Sequence, residues 1–333
     1  MNRQILLKSR PEGAPTADNF ELVETPMPEA GPGQVLRRTI WLSVDPYMRG
    51  RMSEAKSYSP PAKLGEPMVG GTVSQVVESN SPRFAPGDFV LGYDGWQAYA
   101  AGDAKALRAL DPANAPVSYA LGVLGMPGLT AYVGLLDIGQ PKSGETVVVS
   151  AAAGAVGSIA GQIAKIHGCH VIGIAGSDEK CAFVKDALGF DACINYKTED
   201  VGAALDAACP QGIDIYFDNV GGAILDAVLQ RINVFARIPL IGLISQYNEA
   251  KPAPGPNLRP VLTNRALLRG MIVSDHAHRT PDFLRDMSDW LRDGKIHYRE
   301  DIVTGLENTV SAFLGLFEGE NLGKRIVKVA EPE

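Results

Sequence analysis

The sequence predicts an α/β protein in which a β-rich, barrel-like unit precedes a doubly wound parallel sheet with helices on both faces. Three observations carry this. Residues 1–110 are dense in Pro and Gly and hold only short β-like runs separated by turn residues. Beyond about residue 120 strand and helix patterns alternate, the signature of a parallel sheet. Between these patterns a glycine-rich turn at 151–157 joins a β-branched run to a helical one.

The elements follow in order. Short β-runs fall at 5–7, 34–42, 71–77 and 89–91, the last after the turn Ala85-Pro86-Gly87-Asp88, and no helix pattern appears in this part. Residues 146–150 form a β-branched run. Residues 155–167 then place Val156, Ile159, Ala160, Ile163 and Ala164 at helical spacing before Gly168. The alternation continues with a strand at 171–175, a helix at 178–188, a strand at 192–195, a helix at 201–208, a strand at 213–217, a helix at 223–232 and a strand at 237–242. A strand at 268–273, a helix at 281–292 and a β-run at 326–329 close the chain.

Composition bounds the function. The 333 residues carry a net charge of −7, with 45% hydrophobic and 21% charged residues, which fits about two ordinary domains and excludes a disordered or collagenous chain. Mild acidity without a run of like charges offers no footprint for nucleic acid or an anionic membrane. The four cysteines, Cys169, Cys181, Cys193 and Cys209, form no C-x-x-C pair, so reduced thiols in the cytoplasm are expected rather than disulfides. Residues 1–13 hold only three consecutive apolar residues and no small-residue cleavage site, and export is not expected. The uncharged stretches at 146–164 and 112–136 are interrupted by Gly, Ser, Gln or Pro and read as buried turn-rich segments, not membrane spans.

The chemistry is concentrated in Ala151-Ala152-Ala153-Gly154-Ala155-Val156-Gly157. This is the dinucleotide fingerprint with Ala152, Gly154 and Gly157 in the three glycine positions. Gly154 lets the backbone approach a pyrophosphate, Gly157 lets the helix pack on the strand, and the helix start, with Ala155 and Val156 before it, presents N–H groups to the anion. About 20 residues on, where an NAD enzyme places an acid for the ribose 2′-hydroxyl, stands Ala175-Gly176-Ser177. Lys180 follows one turn into the next helix, where its ammonium and the Ser177 hydroxyl suit a 2′-phosphate. NADP(H) is therefore the expected cofactor.

In these residues the chain resembles, over nearly its whole length, the zinc-independent medium-chain dehydrogenase/reductases. It is most similar to their leukotriene B4 12-hydroxydehydrogenase, prostaglandin reductase and alkenal double-bond reductase group. The resemblance rests on LSVDPYMRG at 42–50, MPGLTAY at 126–132, the AAAGAVG turn, GSDEK at 176–180, NYK at 195–197, FDNVGG at 217–222, SQYN at 245–248 and ENLGK at 320–324. It implies a GroES-like β domain built from residues 1–122 and 298–333, with a Rossmann domain of residues 123–297 inserted between them.

It also implies roles. Ser177, Lys180 and Tyr196 would hold the adenosine 2′-phosphate. Met126, Thr130, Asn219, Gly242 and Ser245 would line the cofactor, and Asn321 would bond near the nicotinamide ribose or carboxamide. Tyr47 and Tyr247 would project towards the substrate, although by residue type alone either fits a packed aromatic equally well. A homodimer joined through the nucleotide domain is implied as well.

No Cys or His precedes His167, so the N and S ligands of a catalytic zinc are missing from the β domain and no metal is expected. Without a metal to polarise an alcohol, the accessible reaction is hydride delivery to the β-carbon of an enal or enone. A phenol, Tyr247 or Tyr47, would then hydrogen-bond the growing enolate oxygen. A quinone reductase of the same fold is the alternative enzyme, and a non-catalytic nucleotide-binding protein the alternative outside enzymes.

Overall fold

A computed structural model describes residues 1–249, 251 and 254–333. It contains two compact units. One comprises Met1–Gly122, Glu300–Asn321 and Arg325–Glu333; the other comprises Val123–Arg299 and Leu322–Lys324.

The second unit is built on six parallel strands. In spatial order they are Ala192–Asn195, His170–Ala175, Thr146–Ser150, Ile213–Phe217, Ile232–Leu240 and Leu267–Gly270. The chain starts in the middle, runs out to one edge, returns and runs to the other. That reversal beside Thr146–Ser150 is the topological switch point at which doubly wound sheets bind ligands. Thr146–Ser150 is buried at every position, as a strand covered on both faces must be. Val148, Ile172, Ile174, Ile213 and Tyr216 pack there with Leu225, Val228 and Leu229 of the helix Gly222–Leu229.

The first unit holds a seven-stranded, largely antiparallel sheet and the hairpin-like pair Asn2–Leu7 with Phe20–Thr25. The long strand Gln34–Ser43 pairs with Thr72–Ser79, Tyr99–Asp103 and Lys324–Lys328. Trp96, Phe20 and Phe313 stack and meet edge-on in its main core. Inside the unit the Arg37 guanidinium is paired with the Asp94 carboxylate, which also accepts from Thr72 Oγ1 at 3.1 Å. The fold class is the one expected, a Rossmann sheet whose sequence is inserted into a GroES-like β domain.

Several element boundaries differ from the sequence reading. The strands Phe20–Thr25, Tyr99–Asp103 and Arg108–Leu110 were not expected, since charged or small residues blur their alternation. One helical turn, Met48–Arg51, occurs where no helix was expected. The helix expected at 223–232 ends at Leu229, and the strand expected at 237–242 is Ile232–Leu240. Its register explains the discrepancy: Ile213 pairs with Ile232 and Ile215 with Arg237, so residues 233–236 bulge out between two short ladders. Phe235 takes a left-handed φ of 65° there. The strand expected at 268–273 is Leu267–Gly270, and Val273 instead begins a 3-10 turn. The helices Met126–Val133 and Thr309–Glu318 form where small residues interrupt the apolar spacing.

Candidate active site

The phosphate turn begins where Thr146–Ser150 ends. Ala151 adopts a φ of 48°, a left-handed conformation that costs a non-glycine residue about 1 kcal/mol, so the strained position is Ala151 and not the first glycine position, Ala152. Ala152 is fully buried. A Cβ on Gly157 would lie 2.4 Å from the Ala151 carbonyl oxygen, which explains the glycine where the helix Gly157–Ile166 meets the strand. At Gly154 an added Cβ would meet only that carbonyl, at 3.2 Å, and otherwise open space. Ala155 and Val156 complete the turn, and behind them the amides of Ser158 and Ile159 donate to the carbonyls of Gly154 at 3.1 Å and Val156 at 3.2 Å. A bare backbone turn with open space over Gly154 fits a pyrophosphate.

One feature of this turn was hidden in the sequence. The segment Leu322–Lys324 returns to the nucleotide unit, where Gly323 bridges Gly154 in parallel and donates its N–H to the Ala153 carbonyl at 2.9 Å. Asn321 is the residue immediately before this segment. Gly323 has a φ of 86°, and a Cβ there would lie 2.3 Å from the Arg299 carbonyl oxygen.

The structure brings together Ser177, the first turn of the helix that carries Lys180, and Tyr196. Ser177 caps the helix Asp178–Asp186, its hydroxyl oxygen accepting the Lys180 N–H at 3.2 Å. Tyr196 stands at the end of the neighbouring strand, with its ring 3.1 Å from where a Gly176 Cβ would be. Asn195 Nδ2 donates to Asp178 Oδ1 at 2.7 Å, binding strand end to helix start. A helix N-terminus, a hydroxyl and a half-exposed tyrosine on a glycine floor fit a phosphate monoester.

A second group forms at the carboxyl ends of the central strands. Asn219 donates its main-chain N–H to Ser150 Oγ at 2.9 Å and its Nδ2 to the Ser150 carbonyl at 2.7 Å. Ser245 Oγ donates to the Val220 carbonyl at 2.6 Å. A Cβ on Gly242 would lie 3.2 Å from the Tyr247 hydroxyl and 3.3 Å from the Asn219 carbonyl oxygen, so Gly242, Asn219 and Tyr247 share one small space. Tyr247 Oη accepts the Leu243 N–H at 3.3 Å. Burial raises its pKa and the nearby Asp218 adds to this, against the Leu243 amide, so the phenol is protonated at neutral pH. Met126 opens the helix Met126–Val133, and Thr130 lies one turn on with its hydroxyl donated to the Met126 carbonyl at 2.8 Å.

Tyr47 belongs to the other unit. It precedes the turn Met48–Arg51 and packs partly buried against the core around Leu42, Val44 and Met48. Burial, then the Asp45 carboxylate, pushes its pKa well above the ordinary phenol value. Among the described residues no group of three or more His, Cys, Asp or Glu is placed to hold a metal ion, and no helix is long and apolar enough to cross a membrane.

Comparison with known proteins agrees with this architecture. Residues 3–110 match the family described as the N-terminal domain of oxidoreductase, and residues 155–290 the family described as zinc-binding dehydrogenase. The chain is 52% identical to the NADPH-dependent curcumin reductase of Escherichia coli over 99% of this chain and 97% of that protein. It is 43% identical to the 2-alkenal reductase (NADP(+)-dependent) of Nicotiana tabacum over 99% and 98%. A crystal structure of CurA in complex with NADPH from Vibrio vulnificus superposes with a TM-score of 0.95 at 54% identity, covering 99% of this chain and all of that one. The chain belongs to the zinc-independent medium-chain dehydrogenase/reductases, in the group that holds these reductases.

Proposed function

We propose that this chain is an NADPH-dependent reductase of α,β-unsaturated aldehydes and ketones, with residues 123–297 as the nucleotide domain and residues 1–122 and 298–333 as the substrate domain. The observation that carries the reading is the protonated, half-buried phenol of Tyr247 beside Asn219 and Gly242 at the switch point of the sheet. Bound NADPH would supply the hydride. Ser177, Lys180 and Tyr196 hold the 2′-phosphate, and the turn from Ala152 to Gly157 holds the pyrophosphate. Asn219, Gly242, Ser245, Met126, Thr130 and Asn321 position the nicotinamide half.

As the β-carbon is reduced, charge builds on the carbonyl oxygen. Tyr247, with Tyr47 as the second donor, stabilises it by a hydrogen bond that strengthens in the transition state. Water protonates the α-carbon. The test is NADPH oxidation against 2-alkenals, enones and quinones, with the saturated carbonyl identified as product. Turnover of quinones alone would replace this reading with a quinone reductase.

The same reading includes a homodimer. Leu267–Gly270 is the last strand of the nucleotide sheet, and Leu267 is 46%, Phe235 63% and Leu262 78% exposed around it. Exposed apolar residues along a strand edge suit a second copy. Sedimentation should give a dimer that Leu267→Arg dissociates; a monomeric wild type would refute it. Four free cysteines suit a reducing cytoplasm.

A further inference from the structure

We propose that Asp218 is the positioning residue of the nicotinamide side: through one carboxyl oxygen and its main-chain carbonyl it joins the two segments that carry Asn219, Gly242, Ser245 and Tyr247. Asp218 lies just past the strand Ile213–Phe217 and is fully buried. Its Oδ1 accepts from the Tyr216 hydroxyl at 2.8 Å, from the amides of Val220 and Gly221 at 2.9 Å each, and from Ser150 Oγ at 3.3 Å. Its main-chain carbonyl accepts from the amides of Ile241 at 2.8 Å and Gly242 at 3.2 Å. One residue thus anchors the start of both segments.

The local backbone is built for this. Gly221 and Gly222 take φ values of 70° and 56°, which let the turn fold back over the carboxyl group, and a Cβ on Gly221 would lie 2.5 Å from Leu243 Cδ2. Ser150, the last residue of the strand that leads into the phosphate turn, bonds both Asp218 and Asn219, so the network extends to the root of that turn. Four donors meet Oδ1, while Oδ2 is buried with no hydrogen-bond partner among the protein groups. Burial raises the carboxyl pKa against the opposing amides of Gly221 and Val220 and the hydroxyls of Tyr216 and Ser150.

The proposal rests on the assignment of the nicotinamide half to these segments, and its test separates the two. Affinities for NADPH and for 2′,5′-ADP, which carries only the adenosine 2′-phosphate half, are measured on the full chain for Asp218→Ala and Asp218→Asn. Asp218→Ala should weaken NADPH by about tenfold or more, leave 2′,5′-ADP within about twofold, and lower kcat on any accepted enone. Asp218→Asn keeps the Oδ1 acceptor and should recover NADPH binding to within about threefold of wild type. The proposal is overturned if Asp218→Ala binds NADPH like wild type, if both ligands are lost together, or if Asp218→Asn behaves no better than Asp218→Ala. Should the wild type reduce no enone at all, the proposed function fails while the two binding measurements still decide the role of Asp218.

Discussion

The main-chain N–H of Leu243 donates to the hydroxyl oxygen of Tyr247 at 3.3 Å, within a turn of five residues that contains both groups. With an oxygen lone pair occupied in this way, the phenolic proton is directed elsewhere, and the amide dipole favours charge on the Tyr247 oxygen as that proton is shared. The geometry suits a donor to a developing oxyanion. It also fixes the ring, since the hydroxyl is held by backbone rather than by a mobile side chain.

Tyr247→Phe removes the donor while keeping the ring. Loss of one preorganised donor has cost about 10² to 10³ in kcat elsewhere, and a water or ribose hydroxyl can substitute in part. A fall of about tenfold or more in kcat and kcat/KM is expected, with NADPH affinity unchanged. Steady-state kinetics of Tyr247→Phe, Tyr47→Phe and the double variant on an enone decide it: wild-type kcat in all three removes both tyrosines from the chemistry.

In the proposed site, cofactor choice would turn on Ser177 and Lys180. A charge-assisted hydrogen bond is about 1.5 to 3 kcal/mol, so NADPH should be preferred over NADH by one to two orders of magnitude, and Lys180→Ala should erase much of the gap. Equal kcat/KM for the two cofactors in the wild type would contradict the assignment.

Metal removal should have no effect. The described residues bring no three metal-binding side chains together, so activity should survive exhaustive chelation and elemental analysis should find no stoichiometric zinc. One tightly bound zinc per chain would refute this.

Alkaline pH should destabilise the fold. Burial raises the phenol pKa values of Tyr47, Tyr216 and Tyr247 and moves that of Tyr132 to about 12. The unfolded chain releases these protons near pH 10, where the folded chain still holds them, so unfolding is favoured as pH rises. The contribution is complete below about pH 10 and is lost towards the folded values. Chemical denaturation across this range should show a falling midpoint; a midpoint flat to pH 11 or so would contradict it.

What the sequence determined by itself is what depends on near neighbours in the chain. The strands Thr146–Ser150, Ala192–Asn195 and Ile213–Phe217 were legible to the residue, because short apolar runs between turn residues, within a regular alternation with helices, leave few other conformations. The tight turn at 151–157 between strand and helix was legible for the same reason, since its glycine positions are set by residue type at fixed spacing. Tertiary structure alone decided the rest. The bulge at 233–236 arises from pairing with Ile213 and Ile215, some twenty residues earlier, and no local periodicity encodes it. Gly323 reaches the phosphate turn across more than 160 residues of chain, and its hydrogen bond to Ala153 exists only once both strands and turn are in place. Asp218 reads in sequence as one acid in a glycine-rich loop. It becomes the centre of a buried network only because folding removes water and leaves its carboxyl oxygen the nearest acceptor for Tyr216, Ser150 and two amides.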